Sequence, residues 1–231
     1  MARKRVNTTK YEIIRLATKL FLDNGYSATS PRMVCDELEL STGNLTYYFP
    51  TKEHMLAVLI EMLCDFQWKM MQSVVDEGHT SVLAICLELM SMAAMCEEDE
   101  KAKDLYVSAY SHPLTLEIIR RNDIERAKMV FGEYCKDWTD EKYAETETLV
   151  SGIEYATLMT TGDSAPLDVR IEGALNVILA MYNVPEELCK RKIEKVLAMD
   201  YRAVGKRILN DFKKYVEETN ENTFESLFKK Q

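Results

Sequence analysis

The stretch LSTGNLTYYFPTK, residues 40–52, constrains this chain more than any other. It is short, polar at its start and rich in aromatic residues, and Pro50 cannot comfortably continue a helix. A helix this short, bearing mainly hydroxyl and amide side chains, is too polar to be chiefly a core element. Such side chains donate hydrogen bonds to phosphate oxygens and base edges. The stretch therefore predicts a short surface helix that can contact nucleic acid.

The residues around this stretch predict a helix-turn-helix. Ser30 can cap a first helix with Pro31 at its first position, where no N–H is needed. Leu40 fills a short turn, and Ser41 or Thr42 can cap the second helix. Apolar residues at helical spacing mark the buried sides of the two helices: Met33, Val34, Leu38, Leu45 and Phe49. In this motif the second helix enters the major groove of DNA.

A longer amphipathic helix is predicted to precede this pair. Apolar residues recur at helical spacing between Thr9 and Asp23, and Asn24–Gly25 supplies a C-cap. The buried face of this helix can hold the two short helices in place. The opening residues MARKR add a flexible basic arm, which either contacts DNA or remains a solvated tail.

Residues 1–56 resemble the DNA-binding domain of the tetracycline-repressor (TetR) family of transcriptional regulators. The matching runs are ATKLFLDNGYSATS at 17–30 and STGNLTYYFPTKEHML at 41–56. Three helices, two loops and the ending of aromatic residues followed by lysine all keep the family spacing. The rest of the chain matches the family only in architecture.

The resemblance implies DNA contacts at individual positions. Ser41 and Thr42 would lie against phosphate or base edges, Gly43 would let the backbone approach DNA closely, and Asn44 and Tyr48 would face bases. The full set of expected DNA-binding residues is Arg32, Ser41, Thr42, Gly43, Asn44, Thr46, Tyr47, Tyr48 and Lys52.

Phosphate contacts are expected from Tyr47 and from Lys52, at the N-terminus of the next helix. Thr46 stands where many family members carry a tyrosine that grips phosphate, and its hydroxyl has less reach. The aromatic residues could instead pack in the core. We expect core packing for Phe49 and DNA contact for Tyr47, and both alternatives stay open for Tyr48.

The charge of the chain is unevenly distributed. The formal net charge is −9, but residues 1–54 hold eight Lys/Arg and six Asp/Glu, which leaves +2 there and −11 in the remainder. Charges are screened over roughly 8 Å at physiological salt, so an acidic body does not prevent specific DNA binding by the N-terminal region.

Several function classes find little support. No stretch approaches the roughly 20 apolar residues that cross a bilayer, and the N-terminus lacks the apolar core of a signal peptide. The six cysteines form no CxxC motif, which indicates a reduced, cytoplasmic chain. Buried apolar thiols are the commoner interpretation of these cysteines, and a redox sensor is the alternative. The histidines are isolated and no convergent titratable cluster is evident. We therefore expect no enzyme activity, no catalytic residues, no metal site and no cofactor.

The remaining pattern predicts an all-α chain. We expect a three-helix DNA-binding domain at 1–54 and a larger helical domain at 55–231 for ligand binding and dimerisation. Helices are predicted near 52–77, 80–97, 99–111, 114–137, 140–161, 167–182 and 186–217. Phe224, Leu227 and Phe228 form a short apolar patch that either docks or stays mobile.

The family resemblance implies an effector cavity in the larger domain. Candidate ligand-binding residues are Met90, Tyr106, Tyr110 and Tyr155, although core packing is the better interpretation for any one of them. The small residues on helices 140–161 and 167–182 would pair with their copies in a homodimer, or else pack within one subunit.

We therefore expect a regulator, most often a repressor, that binds a palindromic operator in double-stranded DNA as a homodimer. A small apolar or amphipathic effector would release it. The alternative is a DNA-binding protein of the same type without small-molecule control, acting in chromosome organisation or through a protein partner.

Overall fold

The computed structural model describes residues 2–78 and 81–228, and within these ranges it contains helices and no strand. The helices are α1 Ala2–Asn24, α2 Pro31–Glu37, α3 Thr42–Tyr48, α4 Lys52–Val75, α5 Val82–Glu98, α6 Glu100–Ser111, α7 Pro113–Phe131, α8 Asp140–Leu158, α9 Leu167–Met181, α10 Glu186–Leu197, α11 Tyr201–Glu218 and α12 Glu221–Phe228. The all-α expectation, with an N-terminal helix-turn-helix before a larger helical body, is confirmed.

Local capping forms the helix-turn-helix. The Ser30 hydroxyl accepts a hydrogen bond from Met33 N at 3.3 Å and begins α2. The Ser41 hydroxyl accepts from Asn44 N at 3.1 Å and begins α3, which settles the choice between Ser41 and Thr42 as the cap. The side chains that bury the motif against α1 and α4 are Ile13, Ile14, Phe21, Val34, Leu45 and Phe49.

The N-terminal end differs from the expectation of a flexible arm. The backbone of residues 2–8 continues α1, which begins at Ala2 rather than near Thr9. No glycine or proline interrupts residues 2–24, so nothing in the sequence stops the helix from extending. The side chains of Arg3, Lys4 and Arg5 lie outside the described residues, and their DNA contact stays a prediction.

The loop after α1 is fixed by a glycine and by the body. Gly25 has φ +91° and its N–H reaches Phe21 O at 3.1 Å, which is the predicted C-cap. A Cβ on Gly25 would come within 2.9 Å of Asp104 Oδ2. The same carboxylate accepts from Ser27 N at 2.7 Å and from the Ser27 hydroxyl at 2.5 Å. The start of α6 is thereby bonded directly to the DNA-binding region.

Helix α4 is the central connection of the molecule. It packs against α1 at its start and against α5 and α7 further along. Every residue of this helix from Met55 to Leu63 is buried, which makes it a core element of both regions. The predicted boundary between residues 54 and 55 falls inside this continuous helix, and the division of the chain into two domains stays a prediction.

The predicted helix 186–217 is two helices. Ala198 ends α10, and the Asp200 carboxylate then accepts from Ala203 N at 3.1 Å and begins α11. An aspartate side chain competes for backbone N–H groups, so it can begin a new helix inside an otherwise continuous apolar stripe. Both helices pack on α5. Helix α7 likewise ends at Phe131, before Gly132, rather than near residue 137.

The C-terminal patch docks at one described position. Phe224 of α12 is fully buried and stacks on Tyr11 with ring centroids 5.6 Å apart. The Tyr11 hydroxyl also donates to Glu225 Oε1 at 3.1 Å. The side chains of Leu227 and Phe228 lie outside the described residues. Helix α12 therefore packs against α1, the helix that supports the DNA-binding motif.

Candidate DNA-binding surface and effector cavity

Helix α3 has one buried side and one exposed side. Leu45 is 1% exposed and Phe49, its C-cap, is 4% exposed, so these two residues anchor the helix in the core. The core interpretation of Phe49 is thus the one the structure adopts. The side chains on the other face are exposed: Thr42, Gly43, Asn44, Thr46 and Tyr47. With 79% of its surface exposed, Tyr47 is free to contact another molecule.

Two hydroxyls on α3 already have partners within the helix. Ser41 caps the helix, and the Thr46 hydroxyl donates to Thr42 O at 3.0 Å or to Gly43 O at 3.2 Å. Since a hydroxyl has one hydrogen, Thr46 must give up this bond to donate to a phosphate. Its contribution to DNA binding is expected to be smaller than that of Tyr47.

Gly43 and Tyr48 differ in what the protein requires of them. A Cβ on Gly43 would meet only Ser41 Oγ, at 3.9 Å, so no packing inside the protein demands glycine there. Tyr48 is half-buried against the core and lies edge-on to Tyr47, with ring centroids 5.1 Å apart. Packing inside the protein therefore partly explains why a tyrosine stands at position 48, but it does not explain the glycine at position 43.

The two basic residues of the expected set lie in different surroundings. Arg32 is exposed and its Nε is 3.7 Å from Asp36 Oδ2. Lys52 is the first residue of α4, and its Nζ lies 3.8 Å from the centre of the Tyr26 ring. Partial burial lowers the pKa of Lys52, and the nearby Asp104 and Glu53 carboxylates oppose that shift. Lys52 is thus positioned by Tyr26 beside the α6 contact.

A cavity of about 70 Å³ lies within the body, between α4, α5, α6, α7, α8 and α9. Two of the expected ligand-binding residues, Tyr106 and Tyr110, line it, whereas Met90 and Tyr155 do not. The apolar part of the lining includes Ile60, Leu63, Leu89, Met92, Ile119, Phe131, Val150 and Ile178. The space suffices for a few water molecules or a small organic group.

The polar part of the lining centres on one guanidinium. Arg126, which is 8% exposed, has its Nη1 3.1 Å from Glu88 Oε1 and 3.3 Å from Asp123 Oδ1. Its Nη2 donates to Cys64 O, and its guanidinium lies 5.4 Å from the Trp68 ring centre. These contacts hold the one positive charge of the lining at one side of the cavity.

Phenol groups hold the carboxylates of α8. The Tyr110 hydroxyl donates to Glu154 Oε2 at 2.9 Å, and the Tyr182 hydroxyl donates to Glu147 Oε1. Glu147 is 3% exposed, and its other oxygen, Oε2, has no hydrogen-bond partner among the described residues. A buried carboxylate oxygen without a donor is costly, and such an atom requires an explanation.

Burial sets the protonation of this cluster. It raises the pKa of Glu147 to about 8 and that of Asp123 to about 7, although Arg126 pulls both downward. The pKa of Glu154 is also raised, chiefly by burial and then by the Asp123 and Glu147 carboxylates. The expectation that no convergent titratable cluster exists was therefore wrong. Glu147, Val150 and Glu154 share one face of α8, and that spacing was the available signal.

Part of the surface of α8 and α9 is unusually apolar. The exposed large side chains on or beside these helices are Leu149, Met159, Val169 and Val177. A Cβ on Gly152 or Gly173 would meet nothing within 4 Å, so these glycines do not serve packing inside the subunit. Ser151 and Ala174, in contrast, are buried in it. Ser151 and Ala174 therefore pack within the subunit, whereas Gly152 and Gly173 are available for contact with a second copy of the chain.

Asp104 is a contact residue that the sequence did not indicate. It joins α6 to Ser27, and the Lys101 ammonium donates to Asp23 O. At the other end of α6, the His112 ring lies 5.5 Å from the Tyr26 ring. Since α6 also carries Tyr106 and Tyr110, it connects the cavity with the DNA-binding region. No local spacing in the sequence reveals a contact across 77 residues.

The cysteines are buried or half-buried and form no disulfide in the described chain. Burial raises the pKa of Cys86 and of Cys96 to about 12, so both thiols are protonated at neutral pH. Among the described residues, no helix is long and apolar enough to cross a membrane. The same residues contain no group of three or more metal-ligating side chains arranged to hold a metal ion.

The capped α2–α3 pair, held on α1 with a polar outer face, defines a helix-turn-helix DNA-binding fold. Residues 13–59 match the model of the family described as "Bacterial regulatory proteins, tetR family". This N-terminal region is therefore similar to the DNA-binding region of TetR-family transcriptional regulators.

Curated relatives match over partial lengths. The HTH-type transcriptional regulator HbdR of Aromatoleum sp. (strain CIB) is 27% identical over 118 residues, 51% of this chain and 50% of HbdR. The HTH-type transcriptional regulator QacR of Staphylococcus aureus is 38% identical over 63 residues, 26% of this chain and 34% of QacR. The HTH-type transcriptional repressor KstR2 of Mycobacterium tuberculosis is 29% identical over 72 residues, 31% of this chain and 36% of KstR2. The chain thus spans half or less of these relatives.

Solved structures align over more of the chain at low identity. A gamma-butyrolactone receptor (ArpA-like protein) is 16% identical and covers 90% of this chain and 98% of its own, with a TM-score of 0.41. Mycobacterium smegmatis AmtR is 19% identical and covers 81% of this chain and 93% of its own, with a TM-score of 0.37.

Proposed function

We propose that this protein is a transcriptional repressor that binds a palindromic DNA operator as a homodimer and is released by a small apolar or amphipathic effector. One observation carries the proposal. The polar face of α3, in the region matching the family, is exposed to solvent, and its Asn44 and Tyr47 side chains are accessible to a partner. The relatives named above, which are transcriptional regulators or repressors, support the same function.

The proposed DNA contacts divide into two kinds. Tyr47 and Lys52 bind phosphate, with Arg32 and the backbone at Gly43 close to the DNA strands, and Asn44 reads a base edge. Ser41, Thr42, Thr46 and Tyr48 complete the surface. A single seven-residue reading helix cannot specify a long site, so two copies must bind together.

The proposed dimer forms through α8 and α9. Their exposed apolar side chains would be removed from water, and Gly152 and Gly173 leave room for close approach of partner helices. The larger region, proposed to span 55–231, would then combine dimerisation with effector binding, and 1–54 would bind DNA.

Effector control requires a path from the cavity to the DNA-binding region. Helix α4 lines the cavity with Ile60 and Leu63 and begins at Lys52. Helix α6 offers a second path through Tyr110 and Asp104. An effector that prefers one arrangement of these helices would change the separation of the two reading helices.

The alternative is DNA binding without a small molecule, through a protein partner or in chromosome organisation. The small volume of the cavity, about 70 Å³, is the observation that favours it. Measurements of operator binding alone cannot separate the two alternatives, because both require the same α3 surface.

The experiment selects DNA from a random pool with the purified protein, maps the bound site by footprinting and weighs the complex by native mass spectrometry. We expect an inverted repeat bound by two chains. Full affinity for one asymmetric half-site by a single chain would contradict the proposal. A screen for compounds that release this operator then separates effector control from the alternative, and Asp104→Ala should weaken release more than apo affinity.

A further inference from the structure

We propose that the body cavity binds a small organic cation, an amine with an apolar or aromatic portion, through Glu147 and Glu154. This inference rests on the proposed function in one respect, since it names the chemical class of the effector. It follows from three features of the cavity: the balance of its charged groups, a buried oxygen without a donor, and the arrangement of its aromatic rings.

The charged groups that line the cavity are unbalanced. Four carboxylates, Glu88, Asp123, Glu147 and Glu154, face one guanidinium, Arg126. That guanidinium is 3.1 Å from Glu88 and 3.3 Å from Asp123, so its charge is directed to α5 and α7. Among the described residues, the donors to the side chains of Glu147 and Glu154 are the hydroxyls of Tyr182 and Tyr110, which are neutral. The α8 side of the cavity therefore favours a positive charge.

Glu147 Oε2 supplies the second feature. This atom is buried, belongs to a residue that lines the cavity, and has no donor among the described residues. Glu147 is 3% exposed, so bulk water does not compensate for the missing bond. An ammonium group offers up to three N–H donors and a charge of the required sign.

The aromatic rings supply the third feature. Tyr110 and Tyr182 hold the two carboxylates by their hydroxyls, and their rings lie beside the same space together with Phe131. Ring faces attract cations, and apolar residues such as Val150 and Ile178 complete the wall. A hydrated metal ion would leave this apolar surface unused, whereas an amine on an aromatic or aliphatic body would cover it.

The protonation of the cluster agrees with this occupant. Burial raises the pKa of Glu147, and the groups facing it are Asp123, Arg126 and Arg120 of α7 and Tyr182, the C-cap residue of α9. The pKa of Glu154 is raised as well, so both α8 carboxyls hold protons near neutral pH when no cation is bound. A cation would replace those protons, and binding would release them to the buffer. A neutral hydrogen-bond donor would not.

The test titrates the full chain by calorimetry with 2-phenylethylamine, 1,4-diaminobutane and benzyltrimethylammonium, and with the neutral 2-phenylethanol and 1,4-butanediol. Each titration is run in two buffers of different ionisation enthalpy, which reports proton release, and Mg²⁺ is the inorganic control. We expect at least one amine to bind about tenfold or more tightly than its neutral counterpart, with proton release.

Variants assign the binding to the cavity. Glu147→Gln keeps the shape and should weaken amine binding about tenfold or more. Glu145→Gln changes an exposed carboxylate on the same helix, which pairs with Lys142, and should leave binding unchanged. If Glu147→Gln does not fold, Tyr182→Phe, which removes one donor to Glu147, should alter amine affinity and proton release instead.

The outcomes separate this inference from the proposed function. Equal binding of amine and alcohol, preference for Mg²⁺, an unchanged affinity in Glu147→Gln, or no binding by any amine would overturn the cation site. Operator release by a neutral or acidic compound would overturn it too, yet would leave the repressor function intact. Amine binding at Glu147 without any change in operator affinity would support the site and contradict effector control by this cavity.

Discussion

The outer face of α3 and the cavity of the body both concentrate polar side chains, but the protein treats them in opposite ways. On α3, the side chains of Asn44 and Tyr47 face solvent, and Tyr47 packs edge-on against the neighbouring Tyr48 ring. In the cavity, Arg126 and Glu147 are removed from water, and each has a side-chain partner: Asp123 pairs with Arg126, and the Tyr182 hydroxyl donates to Glu147. The polar side chains on the α3 face therefore cost little free energy of folding and can contact a partner. Those in the cavity affect both folding and ligand binding.

This difference predicts where mutations change stability and where they change only recognition. A substitution on α3 should alter DNA binding with little effect on unfolding. A substitution in the cavity should change the free energy of unfolding, because each buried charge depends on its partner. The following four substitutions test that division, in order of decreasing expected effect.

Arg126→Met should cause the largest loss. It leaves the partly buried Glu88 and Asp123 carboxylates without their guanidinium, and breaking a buried pair costs about 3–5 kcal/mol. Urea denaturation at pH 8 measures the change. Arg32→Met, which breaks an exposed pair with Asp36, is the matched control and should cost less than about 0.5 kcal/mol. Similar losses of unfolding free energy in the two variants would contradict the proposed difference between the cavity and the DNA-binding surface.

Asn44→Ala should leave unfolding unchanged and alter recognition. If Asn44 reads a base edge, the variant loses about 1–3 kcal/mol at one operator position and nothing at the others. Binding to a set of single-base operator variants measures this pattern. Tyr47→Phe is the comparison, since loss of a phosphate contact weakens all sequences alike and flattens the salt dependence. An equal loss on every operator for Asn44→Ala would refute base reading.

Glu147→Gln should flatten the pH dependence of stability. Burial raises the pKa of Glu147 from 4.5 to about 8, so between these values the folded chain holds a proton that the unfolded chain lacks. Stability contributed by that proton is present below pH 4.5 and is lost as the pH rises towards 8. The variant should reduce this slope by up to about 1.4 kcal/mol per pH unit, measured by urea denaturation. Asp123 and Glu154 keep part of the slope, and parallel profiles for wild type and variant would contradict the prediction.

Gly43→Ala should give the smallest change in unfolding, and in the opposite direction. A Cβ meets only Ser41 Oγ at 3.9 Å, and alanine is the better helix former, so stability should rise by up to about 1 kcal/mol. Operator affinity should fall, because the backbone can no longer approach DNA as closely. Thermal unfolding and operator binding are measured together. A stable variant with wild-type affinity would show that close approach at Gly43 is not used.

The sequence predicted the helix-turn-helix because its signals are local. Ser30 and Pro31 begin α2, Ser41 begins α3, and the apolar pair Leu45 and Phe49 fixes which face is buried. Each of these signals lies within one helical turn of the feature that it determines. The same locality explains why the exposed face of α3 could be read directly as a candidate DNA surface.

Only the tertiary structure determined the interior of the body. Glu88, Asp123, Glu147 and Glu154 lie on three different helices, and the packing of α5, α7 and α8 brings them to one cavity. The contact of Asp104 with Ser27 likewise spans 77 residues. Hydrophobic periodicity shows which face of a helix is buried but not which helix it meets. The sequence alone therefore determined the elements, the caps and the polar reading face, whereas long-range packing decided which charges are buried together and how the cavity is joined to the DNA-binding region.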